Sequence, residues 1–180
     1  MLDFNEITRR VSRKKPERNP VNASSSMSGS VTRPQPLSPD MAWIASLPHR
    51  ESVELDAAET APRDARRWLA KLLPDWSLPQ FETVAALIAT ELVTNAMAAT
   101  LEVRWTTGRP PIRLWLCGGP SAIALLTWDA SVVAPVVREA GEDDESGRGL
   151  AIVGALSAGW GFYYPAEFRG KIIWAVIDRP

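Results

Sequence analysis

The order of elements along the chain predicts an α+β sandwich, with helices on one face of a mixed, mostly antiparallel sheet. Three observations carry that class. Short runs that alternate or stay apolar recur at 52–56, 112–117, 122–128, 160–164 and 171–177. Two helical stretches lie between the first and second of these runs. Turn sequences, Gly118-Gly119-Pro120-Ser121 and Glu167-Phe168-Arg169-Gly170, join the later runs as antiparallel hairpins.

Ser52-Val53-Glu54-Leu55-Asp56 alternates polar and apolar, as a short half-buried strand does. A helix is expected from about Thr60 to Leu73: Thr60 is a candidate N-cap, Pro62 sits in the tolerant first turn, and Pro74 is the stop. Its apolar stripe is Ala61, Ala65, Trp68, Leu69 and Leu72, with Arg63, Arg66, Arg67 and Lys71 opposite. A second helix covers 81–96, a stretch free of Gly and Pro. Ile112 to Cys117 alternates, and Ala122 to Trp128 is almost continuously apolar, the pattern of a central strand. Gly149 to Ala158 reads as a helix ended by Gly159. Trp160 to Tyr164 and Lys171 to Ile177 close the order as two strands.

The chain has 180 residues, enough for one domain with a real core. The first forty residues differ from the rest. Arg9, Arg10, Arg13, Lys14, Lys15 and Arg18 cluster early, and a Ser/Pro-rich stretch follows. So little apolar surface cannot offset ordering entropy, so residues 1–42 are expected to be a disordered tail, with the folded domain spanning 43–180. Net charge is -1, which gives the whole molecule no strong pull toward nucleic acid or membrane. With Cys117 the single cysteine, no intrachain disulfide and no cysteine-based metal cluster can form, which suits a cytoplasmic setting. The single histidine, His49, excludes multi-histidine metal sites and is expected to be solvated, ahead of the folded region. No secretory leader or apolar run of spanning length stands out, so no membrane association is expected.

Val84, Ile88, Glu91 and Asn95 fall on one stripe of the second helix. The stripe begins apolar and ends in a carboxylate and an amide. Burying an ionised carboxylate costs several kcal/mol, so a face that turns polar is either entering a pocket or reaching solvent. Asp129 comes directly after the central strand, where the chain leaves the sheet. Ser146-Gly147-Arg148-Gly149-Leu150 enters another helix. Glycines there let backbone approach a ligand, and free N–H groups at a helix start favour an anion. A helix with Glu-x-x-x-Asn, a strand ending in Asp and a glycine loop opening a helix together suggest a nucleotide site. Gly-x-Gly-x-x-Gly after a first strand is missing, which disfavours a dinucleotide enzyme.

Glu91-Leu92-Val93-Thr94-Asn95-Ala96, Asp129, Glu145-Ser146-Gly147-Arg148-Gly149-Leu150, Gly161 and Gly170-Lys171-Ile172-Ile173-Trp174 resemble the anti-sigma-factor serine/threonine kinases. These belong to the Bergerat-fold, histidine-kinase-like ATPases, and the resemblance covers roughly residues 45 to 178. It implies ATP and Mg²⁺ as ligands. Asn95 would ligate Mg²⁺ through its amide oxygen and Glu91 would be the general base. Asp129 would accept a hydrogen bond from the adenine exocyclic amine. A lid from about Arg138 to Gly149 would cover the phosphates, with Gly147 and Gly149 offering backbone N–H groups. Arg148 and Lys171 would be candidate phosphate contacts or simple surface charges. The implied partners are proteins, either a sigma factor or an anti-sigma-factor antagonist, with a homodimer possible and no specific nucleic-acid binding by the folded domain. The chain departs from the family pattern at Ala99 (often His), Ser131 (usually Gly) and Ile172 (commonly Thr), and it carries acids at 142–145 in the lid. The alternative is therefore a nucleotide-binding interaction module without phosphotransfer.

Overall fold

The computed structural model describes residues 31–32, 34–105, 110–138, 148–166 and 169–179. The expected basic tail and most of the expected lid, including Gly147 and the acids at 142–145, lie outside the described residues.

A five-stranded sheet organises the molecule. Its strands are β2 (His49–Asp56), β3 (Pro111–Gly118), β4 (Ala122–Asp129), β6 (Gly159–Tyr163) and β7 (Lys171–Asp178), in spatial order β2-β3-β4-β7-β6. Every pair in it is antiparallel, so the sheet is not mixed as the sequence suggested. A two-stranded ribbon, β1 (Val31–Thr32) with β5 (Val137–Arg138), lies beside it.

One face of the sheet carries α2 (Ala61–Asp75), α3 (Glu82–Leu101, after a 3₁₀ turn at Pro79–Phe81) and α4 (Gly149–Leu156). Ala65, Leu69, Ile88, Leu92 and Val153 from these helices pack on Leu114, Leu116, Leu125 and Ile173 of the strands. Both sides of α3 are consumed in this way, because α2 and α4 flank it while the sheet lies beneath. On length and composition alone Pro79–Leu101 would cross a membrane; here Ile88, Leu92, Val93 and Ala96 are buried in the core, while Leu87 and Leu101 are exposed. Arg66 Nη1 donates to Thr90 Oγ1 at 3.1 Å, fastening α2 to α3.

The second face is covered too, which corrects the expectation of helices on one face. A short helix, α1 (Met41–Ser46), lays Met41 and Ile44 on Trp115, Cys117, Leu126, Trp128 and Trp174. Asp40 caps it by accepting from the Trp43 amide at 3.0 Å. Upstream, the Leu37 amide donates to the Phe162 carbonyl at 2.6 Å, and Leu37 accepts from Trp174 Nε1 at 2.8 Å. The chain from Leu37 thus wraps the β6 margin before reaching the second face, and packing begins upstream of residue 43. His49 is not ahead of the fold either: it opens β2 and stacks on Trp76, with ring centroids 5.1 Å apart. Helix α2 runs one residue past Pro74, and Thr60 makes no side-chain cap bond.

Candidate functional site

Strand alternation decides which side chains reach the helix face. In β4, Ile123 and Leu125 belong to the core beneath the helices, so Thr127 and Asp129 point the same way. In β7, Lys171 and Ile173 stand directly opposite them, Asp129 against Lys171 and Thr127 against Ile173. Above this polar end of the sheet runs α3. Its residues Asn95 and Ala99 and its C-cap Glu102 share a cavity with Ser131, Leu150 and Lys171, whose volume is about 140 Å³.

Asp129 is buried, and its hydrogen bonds are unevenly shared. Oδ1 accepts from Lys171 Nζ at 2.8 Å and from the Ser131 amide at 2.9 Å. Oδ2 is equally buried and has no protein partner. Burial outweighs the pull of Lys171, pushing the carboxyl up from 3.8 to about 6. The sharp approach that brings Lys171 here depends on Gly170, at φ +116°, where an added Cβ would meet the Asp129 carbonyl oxygen at 2.2 Å. Lys171 is only 2% exposed and pairs with Asp129, so it is not the simple surface charge that the sequence left open, and it also lines the cavity.

Glu91 and Asn95 meet the start of α4. A Cβ at Gly149 would sit 2.5 Å from Glu91 Oε2 and 3.1 Å from Asn95 Nδ2. A side chain at 149 would have to move the tip of Glu91 and crowd the Asn95 amide, so glycine there keeps both groups close to the start of α4. Glu91 and Asn95 are half-buried and make no hydrogen bond to another described residue. Both acceptors remain available to a ligand. Arg148, exposed, is the N-cap of α4, and its carbonyl accepts from the Ile152 amide at 3.0 Å. Five of the expected residues thus fall into two groups, Glu91–Asn95–Gly149 and Asp129–Lys171, joined by the cavity that Asn95 and Lys171 both line.

Three departures from the family pattern resolve differently. Ala99 and Ser131 line the cavity and alter its wall. Ile172 instead faces the second core with Trp128 and Trp174, so a threonine there would add no hydroxyl to the cavity. The hydroxyl on the cavity side is Thr127, buried and without a partner. Sequence reasoning missed it, although a threonine in an otherwise apolar strand was a usable signal. Thr100, also missed, accepts from the Ala130 amide at 3.2 Å and ties the end of α3 to the exit of β4.

Among the described residues no group of three or more His, Cys, Asp or Glu side chains gathers for a metal. No protein-family model matches the chain, and no curated protein matches it.

Proposed function

We propose that the chain is a Bergerat-type ATP-binding regulator, working as an anti-sigma-factor-type serine/threonine kinase in a partner switch. The observation that carries this is the buried Asp129 Oδ2, an acceptor without a partner, whose neighbours Ser131 and Lys171 line a cavity that Asn95 also lines. An orphaned buried acceptor costs roughly 1–3 kcal/mol, and a ring amine removes that cost by donating to it. A volume of about 140 Å³ suits one flat ring system, since about 150 Å³ accommodates a benzene-sized guest. The phosphates of such a ligand then lie outside, toward Glu91, Asn95 and Gly149.

Asn95 offers an amide oxygen to Mg²⁺, a hard donor for a hard cation. A bound Mg²⁺ would supply positive charge against that of the phosphates. Glu91, one turn before Asn95, accepts the proton of a serine hydroxyl on a protein substrate, with the bulk of α4 keeping it in place. Gly149 holds the start of α4 against both groups, so backbone N–H groups and the two side chains act at one spot.

The second reading, a nucleotide-dependent interaction module without transfer, draws its support from Ala99 and Ser131, because both departures fall on the cavity wall. Calorimetric titration with ATP and GTP, with and without Mg²⁺, separates the possibilities. ATP should bind at least tenfold tighter than GTP, and Asn95→Ala should remove the Mg²⁺ dependence while the circular dichroism spectrum is kept. Equal binding of GTP, or no effect of the metal on wild type, defeats the site assignment. Incubation with γ-labelled ATP and a sigma-factor antagonist then decides the enzyme question. Label on the antagonist that disappears in Glu91→Ala supports the kinase, and nucleotide binding without label supports the module.

A further inference from the structure

We infer that Glu102 reads the sugar of the bound nucleotide, accepting hydrogen bonds from ribose 2′- and 3′-hydroxyls, so that the site selects ribonucleotides over deoxyribonucleotides. This rests on the nucleotide reading above and adds the sugar class to it.

Glu91, Asn95 and Ala99 recur every four residues on α3, and Glu102, its C-cap at φ -77° and ψ -13°, follows three residues later. They form one continuous stripe roughly 16 Å long, from 1.5 Å of rise per residue. The last three of them line the cavity. Along the stripe the chemistry changes in order: metal-side carboxylate and amide, then a bare methyl at Ala99, then a second carboxylate. Ala99 projects nothing into the space between Asn95 and Glu102, leaving that interval for a ligand group.

The two ends suit different parts of a nucleotide. Phosphates belong at the Asn95 end, where a cation and the start of α4 receive them, and a carboxylate at the other end repels them. The diol edge of a ribose lies away from its 5′-phosphate arm, so a nucleotide with its base toward Asp129 and its phosphates toward Asn95 directs that edge to Glu102. An ionised carboxylate accepts and never donates, and its two oxygens match two vicinal hydroxyl donors. Acidic side chains serve the same purpose against ribose in dinucleotide sites. Glu102 has neither a hydrogen bond nor an ion pair with any described residue, so its acceptors are uncommitted.

The test measures binding of Mg·ATP, Mg·2′-deoxy-ATP and Mg·3′-deoxy-ATP to the full chain and to Glu102→Ala and Glu102→Gln. Wild type should prefer ATP by roughly tenfold over either deoxy form, the effect of one charge-assisted hydrogen bond at a partly wet site. Glu102→Ala should bind all three alike, and Glu102→Gln should keep a preference of about threefold through its remaining carbonyl acceptor. A wild type that binds ATP and its deoxy forms equally overturns the assignment of Glu102, as does a Glu102→Ala that still discriminates. A wild type that binds none of the three overturns the nucleotide reading itself, and this inference with it.

Discussion

Along β7, Lys171, Ile173, Ala175 and Ile177 turn toward the helices, while Ile172, Trp174 and Val176 turn toward α1. The two faces solve different problems with the same strands. Beneath the helices the packing is mainly aliphatic, with Phe81 and Phe162 buried in it, until its last turn of register, where Thr127, Asp129 and Lys171 place a hydroxyl and an ion pair. On the other face three indoles, from Trp115, Trp128 and Trp174, fill the space under a six-residue helix. Burying Asp129 and Lys171 gains little, because desolvation consumes most of their attraction. The aromatic face supplies apolar burial that such a polar floor lacks, each large aromatic removing 150–250 Å² or so from water. Binding chemistry on one side of a sheet is sustained by dense packing on the other.

If the faces are separable, Trp115→Ala should lose about 3–5 kcal/mol in urea unfolding, the range for deleting a large buried aromatic. The folded fraction should nonetheless bind ATP within about twofold of wild type; a matching loss of affinity would couple the faces. Gly170→Ala strikes the seam between them. It forces a side chain to φ +116° and into the Asp129 carbonyl, and should cost about 3 kcal/mol while also weakening ATP binding, since Lys171 follows directly.

Acidity should drive stability and binding in opposite directions. Asp129 holds its proton more tightly when folded, at about 6 against 3.8. Its contribution to stability is fully present below the lower value and is lost as pH rises through the upper one. Between pH 7 and pH 4 wild type should therefore gain about 2–3 kcal/mol relative to Asp129→Asn. ATP affinity should fall over the same interval, because protonation removes the acceptor at Oδ2. Parallel movement of the two would show that another group governs one of them. The smallest expected effect comes from Ile172→Thr, which introduces the residue common in the family that the sequence resembles. It should cost about 1–2 kcal/mol by burying a hydroxyl among tryptophans and leave ATP affinity unchanged; improved affinity would place position 172 on the wrong face.

What could be read from sequence followed the range of the interactions involved. Glu91, Asn95 and the approach to Gly149 were visible because helix periodicity and a glycine at a helix start are local signals. The strands of the two hairpins were visible for the same reason, and their ends shifted by a residue or two. The partnership of Asp129 with Lys171 was not, since 42 positions separate them and only the β4–β7 register joins them. The same register sends Ile172 away from the cavity and Thr127 into its neighbourhood. Helix α1 hid behind a proline-rich approach, and its apolar residues have meaning only once the indoles opposite are placed. His49 escaped notice because His49-Arg50-Glu51-Ser52 has no apolar alternation, although β3 pairs with it throughout. Glu102 is an ordinary acid in sequence and gains interest only from the wall it occupies.

The segment around Leu37 has a consequence for self-association. By bonding to Phe162 it occupies part of an unpaired margin that a foreign strand would otherwise extend. The opposite margin, β2, carries Arg50, Glu51, Glu54 and Asp56, charges that discourage such a visitor. Both features disfavour the growth of a shared sheet between copies of this protein.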